Sequence, residues 1–222
     1  MKIALFTPWQ PQRTGVAEYS RVLLPSLLEL AEVDLWLSHT PAAEAAPCPI
    51  VDYRAAPQRL GDLAGYDAVI YQMGNSPVHQ PVLEVMLNHP GVVVMHDYVL
   101  HHLLASYHLE RLHDCDGYLR EVRYNCGPAG EAMARAALAG QRPPLWEDPL
   151  IPALNYRVLD HTQGVIVHSA YARRLITDSH PHLPVVKLEL PVPEAQIPDR
   201  TALKLRHGLP SERPVVAVFG FP

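Results

Sequence analysis

The sequence predicts an α/β fold in which helices cover both faces of a parallel β-sheet. Short apolar runs recur along the chain, and the clearest are residues 91–95 and 164–167. They lack the alternation of a half-exposed strand, which is typical of strands buried on both sides of a parallel sheet. A segment with helical periodicity follows each run, and strands that alternate with helices indicate parallel order.

The composition is that of an ordinary globular chain and excludes several classes of protein. Of the 222 residues, 48% are hydrophobic and 18% are charged, and the formal net charge of −5 argues against a nucleic-acid partner. No apolar run reaches the roughly 18 residues of a transmembrane helix. The N-terminus has no signal peptide, and the three cysteines form no C-x-x-C pair. We therefore expect a cytoplasmic protein, with peripheral attachment to the inner face of the membrane as an open alternative.

The first element is a buried strand at residues 3–7, followed by a proline-containing loop and a helix. Thr14 is placed to cap that helix, which begins near Gly15, and Glu18 lies in its first turn. Backbone N–H groups at a helix start can hold a phosphate, and a glycine there lets the ligand approach closely. The alternative is that Gly15 only begins the helix. The dinucleotide fingerprint G-x-G-x-x-G is absent.

Further strands and helices alternate along the chain, and one helical insertion interrupts them. Strands are predicted at 33–38, 50–53, 67–71, 91–95, 164–167 and 185–190, and helices at 77–87, 98–112 and 170–177. Residues 58–63 are predicted to form a short helix or a turn. Residues 40–49 are predicted to form a loop. The insertion spans residues 114–160, with helices at 118–124 and 129–138 and a proline-rich loop at 142–152.

The domain organisation follows from where this alternation stops. Residues 1–190 form one domain, and residues 191–213 form a proline-rich linker with one short helix at 201–207. Residues 214–222 are interpreted as the first strand of a second domain. We therefore expect the chain to be a fragment of a two-domain protein.

Polar residues follow four predicted strands, at positions 9–15, 72–76, 96–97 and 168–171. Open parallel sheets bind ligands outside the carboxyl ends of their strands. His96 is the strongest candidate for a ligand-binding residue, because it directly follows a strand of apolar residues and its ring is expected to face the crevice. The alternative is a structural histidine that caps the next helix or bonds a loop, since histidine fills both roles readily.

Metal and nucleophile chemistry find little support in the sequence. His96, His101, His102, His108 and His113 are clustered, but neither H-x-x-x-H nor H-E-x-x-H occurs, so no metal is predicted. No cysteine lies at the carboxyl end of a strand, and there is no G-x-S-x-G nucleophile elbow.

Four segments, in this order, resemble family 4 of the group 1 glycosyltransferases. They are Lys2-Ile-Ala-Leu-Phe-Thr-Pro8 with Thr14-Gly-Val-Ala-Glu-Tyr19, Val92-Val-Val-Met-His96-Asp97, Gly164-Val-Ile-Val-His-Ser-Ala-Tyr-Ala-Arg-Arg-Leu175, and Leu205-Arg-His-Gly-Leu-Pro-Ser-Glu-Arg-Pro-Val-Val-Ala-Val-Phe-Gly220. The insertion carries the least of the likeness. The resemblance implies the GT-B architecture, two Rossmann-like domains with the active site between them. It also implies transfer of a sugar from a nucleotide-sugar donor with retention at the anomeric carbon.

The resemblance also implies roles for individual residues. Gly15, with its neighbours Thr14 and Val16, matches the loop that meets the donor diphosphate, and His96 matches the histidine near the transferred sugar. The positions expected at the acceptor are Trp9, Asn75, Asp97 and His101. Residues that grip the nucleotide would lie in the second domain.

The implied partners are a UDP- or GDP-sugar and an acceptor that is a saccharide, a lipid or a small molecule, and no cofactor is implied. Two alternatives stay open. One is a stand-alone nucleotide-binding or flavodoxin-like module, and the other is an epimerase or hydrolase on the same two-domain architecture, since fold does not fix function.

Overall fold

A computed structural model of the chain describes residues 1–39, 46–147, 152–191 and 199–216. The chain divides into two compact units, Met1–Pro191 and Val192–Pro222. The predicted loops at 40–49 and 142–152, the linker at 191–213 and the strand at 214–222 fall partly on residues outside these ranges.

The first unit is built on a parallel sheet, and the predicted fold class is confirmed. Among the described residues the sheet has seven strands in the order β3-β2-β1-β4-β5-β6-β7, and every neighbouring pair is parallel. The strands are β1 (Lys2–Phe6), β2 (Glu32–Leu37), β3 (Ile50–Asp52), β4 (Ala68–Met73), β5 (Val92–Met95), β6 (Gly164–Val167) and β7 (Val185–Lys187).

Helices connect the strands. In the described part of the first unit they are α1 (Gly15–Leu28), α2 (Gln80–Asn88), α3 (His101–Ser106), α4 (Cys115–Leu138), α5 (Tyr156–Asp160) and α6 (Ala170–Ser179). Short 3₁₀ segments lie at Pro57–Gly65, Pro77–His79 and Leu145–Glu147. In the second unit, α7 (Arg200–Arg206) matches the short helix predicted at 201–207.

The two faces of the sheet bury two apolar clusters, which explains why the strands lack alternation. On β1, Ile3 and Leu5 join a cluster with Leu24 of α1, whereas the intervening Ala4 and Phe6 join the larger cluster on the other face. The larger cluster takes in buried residues of α2 to α6. Successive strand residues point to opposite faces, so helices on both sides demand apolar residues at every position.

The chain reverses its direction of travel across the sheet between β1 and β4. It runs from β1 outward to β2 and β3, and then crosses back to β4 on the other side of β1. Connections that leave adjacent strands in opposite directions open a crevice at the carboxyl ends of those strands. The loops after β1 and β4 are therefore the expected walls of a binding site.

The start of α1 has the predicted geometry. Thr14 is the N-cap, and its Oγ1 accepts a hydrogen bond from the Ala17 amide at 3.0 Å. Glu18 lies in the first turn, where its carboxylate suits the positive end of the helix dipole.

Three predicted elements have boundaries that differ clearly from those in the structure. The helix predicted at 98–112 is α3 alone, followed by a π-helical turn at Tyr107–Arg111; before it, the Leu100 amide bonds the Ala153 carbonyl instead of continuing a helix. The strand predicted at 67–71 extends to Met73, so Gln72 is a buried strand residue. The strand predicted at 185–190 ends at Lys187.

None of the helices in the described ranges combines the length and the apolar character that crossing a membrane requires.

Candidate functional site

An open crevice of about 410 Å³ lies at the carboxyl ends of β1, β4, β5 and β6. Its walls come from the loops that follow these strands and from the segment after β7. The lining residues are Thr14, Gly15, Val16, Asn75, Ser76, His79, His96, Asp97, His168 and Leu190. Six of the eight residues predicted for the site therefore line one crevice: Thr14, Gly15, Val16, Asn75, His96 and Asp97.

The start of α1 forms one wall. The side chain of Thr14 caps the Ala17 amide, and the geometry of a helix leaves the amides of Gly15 and Val16 without intrahelical partners. A Cβ atom added at Gly15 would meet no atom within 4 Å, and the backbone there does not have a positive φ. The fold therefore does not require glycine at this position, and its missing side chain leaves room at the helix start.

His96 forms the opposite wall as a half-buried imidazole. Its Nε2 donates to Oε1 of Gln72 at 2.6 Å, and Gln72 lies fully buried in β4. Burial, with smaller contributions from the nearby His168 and His79 rings, lowers the pKa of His96 to about 3. The ring is therefore neutral at physiological pH, with its lone pair on Nδ1.

The rings of Tyr19 and His168 pack beside the ring of His96. The centroid of Tyr19 lies 4.6 Å from that of His96 and 5.1 Å from that of His168, and the two imidazoles lie 5.3 Å apart. Tyr19 belongs to α1, whereas the histidines follow β5 and β6, so the sheet topology brings together residues almost 150 positions apart.

A second buried imidazole supports the loop after β4. His79 Nδ1 donates to the Gln72 carbonyl at 3.0 Å, and burial lowers the pKa of His79 to about 4, against the opposing effects of that bond and of Asp97. Oδ2 of Asp97 accepts from the Asn75 amide at 2.8 Å. A Cβ on Gly74 would lie 2.9 Å from Nε2 of His79 and 3.2 Å from that carboxylate oxygen, so only glycine fits here without displacing them.

Trp9 and His101, which the sequence suggests as acceptor contacts, lie away from the crevice. Trp9 is 6% exposed and packs in the apolar cluster under α1. His101 is fully buried: its Nδ1 donates to the Pro152 carbonyl at 2.9 Å and its Nε2 accepts from the Tyr118 hydroxyl at 2.8 Å. Both nitrogens are used within the fold, so we leave these two residues out of the site.

Four residues of the crevice region were not selected from the sequence. Tyr19 lies on the apolar stripe of α1 and is indistinguishable from core by periodicity. Gln72 lies in a predicted loop, and His79 lies inside a predicted helix. His168 directly follows β6, in the same position as His96 after β5, and that parallel was the available signal.

A neighbouring cavity of about 520 Å³ shares Thr14 with the crevice. Residues 10–14 supply most of its lining, with Ala17 and Glu18 of α1. It is built from one loop and one helix, whereas the crevice gathers polar groups from four strand ends. We therefore take the crevice as the candidate site.

The crevice suits an anion at one wall and hydroxyl groups at the other. Unpaired amides at a helix start attract negative charge. The opposite wall offers neutral imidazoles and the carboxylate of Asp97. Within the described ranges, no group of three or more His, Cys, Asp or Glu side chains is arranged to hold a metal ion.

Comparison with known proteins finds a likeness in structure but none in sequence. No protein-family model and no curated protein matches the chain. The chain is similar to the structure of apo UGT2 from Phytolacca americana, with 16% sequence identity and a TM-score of 0.44, over 94% of this chain and 55% of that one. The chain thus spans about half the length of that protein, and a likeness at this level assigns no activity.

Proposed function

We propose that the chain is the N-terminal, acceptor-side half of a GT-B glycosyltransferase. The whole enzyme would transfer a sugar, with retention, from a UDP- or GDP-sugar to an acceptor that is a saccharide, a lipid or a small molecule. The observation that carries the proposal is that one crevice at the reversal of the sheet is lined by both Gly15 and His96. The resemblance of the sequence to family 4 supplies the reaction class.

The proposed role of the helix start is to stabilise the leaving diphosphate. Negative charge develops on the departing nucleotide as the bond to the sugar breaks, and preorganised N–H groups aimed at that charge lower the barrier. The amides of Gly15 and Val16 are such groups, and the open space at Gly15 allows the diphosphate to approach.

The proposed role of His96 is to orient the transferred sugar as a neutral imidazole. Its bond to Gln72 fixes the ring and leaves the lone pair of Nδ1 as an acceptor for a sugar hydroxyl. Because burial lowers its pKa to about 3, the ring contributes a hydrogen bond and not a positive charge. We assign it no nucleophilic role, and no cofactor is needed for these steps.

The test uses His96→Ala and Gly15→Leu in the full-length enzyme. His96→Ala is expected to lower kcat by about 10²-fold, the order seen when one preorganised polar contact is removed. Gly15→Leu is expected to raise the donor KM, because the new side chain enters the space of the diphosphate and not the core. Gly61→Leu is the matched control, since Gly61 also has open space around its Cβ position.

Transfer rates are measured with radiolabelled UDP-glucose and GDP-mannose. Wild-type rates in both site variants, with the fold intact by circular dichroism, would contradict the assignment.

A second test concerns the 222-residue chain by itself. If the nucleotide is gripped by a second domain, UDP- and GDP-sugars should bind this chain with millimolar or weaker affinity, on the order of −4 kcal/mol at best. Isothermal titration calorimetry measures this directly. Micromolar binding would instead favour the stand-alone nucleotide-binding module.

A further inference from the structure

His168 occupies the same position after β6 that His96 occupies after β5, and it lines the same crevice. Its Nδ1 lies 3.0 Å from the Leu188 carbonyl oxygen. A carbonyl oxygen only accepts, so Nδ1 carries the proton, and in the neutral ring the lone pair is on Nε2. The backbone therefore fixes both the tautomer and the direction of the ring.

Nε2 of His168 is buried and has no hydrogen-bond partner among the described residues. A buried acceptor without a partner is unfavourable, and a hydroxyl group of a ligand would satisfy it. The rings of Tyr19 and His96 pack against the imidazole. His96 is held by Gln72, whereas the Tyr19 hydroxyl has no hydrogen bond within the described ranges.

The groups around His168 select the chemistry of that ligand. Nδ1 of His96 and the carboxylate of Asp97 are acceptors, and so is Nε2 of His168 when Nδ1 carries the ring proton. A wall of acceptors disfavours phosphate and favours a molecule that donates several hydrogen bonds, which is the property of a polyol.

We propose that Nε2 of His168 accepts a hydrogen bond from a hydroxyl group of the acceptor substrate, and that this acceptor is a sugar or other polyol. The inference rests on the proposed function and extends it, because it assigns a substrate class to the β5–β6 side of the crevice. Because Nε2 is buried, the side chains packed against His168, Tyr19 among them, move when the polyol binds.

The experiment is an NMR titration of the whole chain labelled with ¹⁵N-histidine. Two-bond ¹H–¹⁵N correlations report the tautomer and hydrogen bonding of each ring nitrogen, and His168→Asn identifies the His168 signals among 13 histidines. Methyl α-D-glucoside and methyl α-D-mannoside are the polyol probes, and inorganic phosphate is the anion probe. Asparagine keeps a donor near the Leu188 carbonyl while removing Nε2, so the variant should remain folded. His182→Asn, at an exposed histidine, is the matched control.

The expected result is a shift of His168 Nε2 on addition of a glycoside, with affinity about five- to tenfold weaker in His168→Asn, as for one lost hydrogen bond. His182→Asn should bind like the wild type. Equal binding by His168→Asn overturns the inference, and so does a tautomer with the proton on Nε2. Loss of an existing Nε2 hydrogen bond in Tyr19→Phe also overturns it, because Tyr19 would then be the partner.

The phosphate titration, repeated on the uniformly ¹⁵N-labelled chain so that backbone amides are observed, separates this inference from the proposed function. Phosphate is expected to shift the amides of Gly15 and Val16 and to leave His168 unchanged. No response at Gly15 and Val16 counts against the donor site, whatever the glycosides do. A phosphate response at His168 Nε2 overturns the inference, because the nitrogen would then be acting as a donor.

Discussion

At the scale of single residues, the crevice depends on two imidazoles that are kept neutral by burial. His96 and His79 both bond to Gln72, the first to its side chain and the second to its backbone carbonyl. Their pKa values of about 3 and about 4 lie far below the ordinary histidine value, chiefly because burial penalises the charged ring. Neutral rings make hydrogen bonds of defined direction, which a binding site for a specific ligand requires.

These pKa values predict how stability depends on pH. In the unfolded chain the rings take up protons near pH 6.5, whereas in the folded chain they resist protonation down to about pH 4 and pH 3. The free energy of unfolding is therefore highest above pH 6.5. It falls as the pH drops towards the pKa values of the two rings in the folded chain. Below pH 6.5 each ring should reduce the free energy of unfolding, with a slope that approaches about 1.4 kcal/mol per pH unit.

Urea unfolding between pH 5.0 and 7.5 measures this slope in a range where carboxylates contribute little. The double variant His79→Gln, His96→Gln should have a shallower slope than the wild type, and His182→Gln should not. An unchanged slope in the double variant would show that these rings are not protected from protonation.

At the scale of elements, α4 shows how one glycine shapes the insertion between β5 and β6. Gly127 has φ 69° and ψ −170°, a backbone conformation that is essentially restricted to glycine, and Pro128 begins the second half of the helix. The break separates the two helices predicted at 118–124 and 129–138. The kink lets the second half lie close to the first, where Glu131 pairs with Arg123 at 3.0 Å.

Gly127→Ala is expected to lower the free energy of unfolding by about 1–3 kcal/mol, because a Cβ atom is strained in this conformation. The site has free space around it, so the effect is one of backbone strain and not of a clash. Gly61→Ala, which has similar space and no positive φ, should change stability by much less. Equal effects in the two variants, by urea unfolding, would refute the strain explanation.

At the scale of the whole molecule, all seven described strands and both apolar clusters lie within Met1–Pro191. A unit of this size with its own core should unfold cooperatively. A chain ending at Pro191 is therefore expected to show one sigmoidal urea transition by circular dichroism and by tryptophan fluorescence. Two separated transitions, or a gradual loss of signal, would contradict the assignment of residues 1–191 as one domain.

The local sequence predicted an element well where residue type alone indicated its burial or its capping. Wholly apolar runs marked β5 and β6, and Thr14 marked the start of α1, because capping chemistry and burial on both faces leave a direct trace in residue type. Boundaries failed where a tertiary contact decided them. The Leu100 amide donates a hydrogen bond to the Ala153 carbonyl, so α3 begins later than predicted. No local sequence pattern predicts that bond.

The sequence by itself determined the parallel α/β class, the loops that carry polar residues and the candidacy of Gly15 and His96, because these follow from local periodicity and residue chemistry. Only the tertiary structure decided which polar residues share a crevice. It buried Trp9 and His101 in the fold and brought Tyr19, His96 and His168 within 5.3 Å of one another. Strand order is a property of long-range pairing, and the same pattern of strands and helices is compatible with several orders. For that reason the His96–His168 pair and the orphaned Nε2 became visible only once β5 lay beside β6.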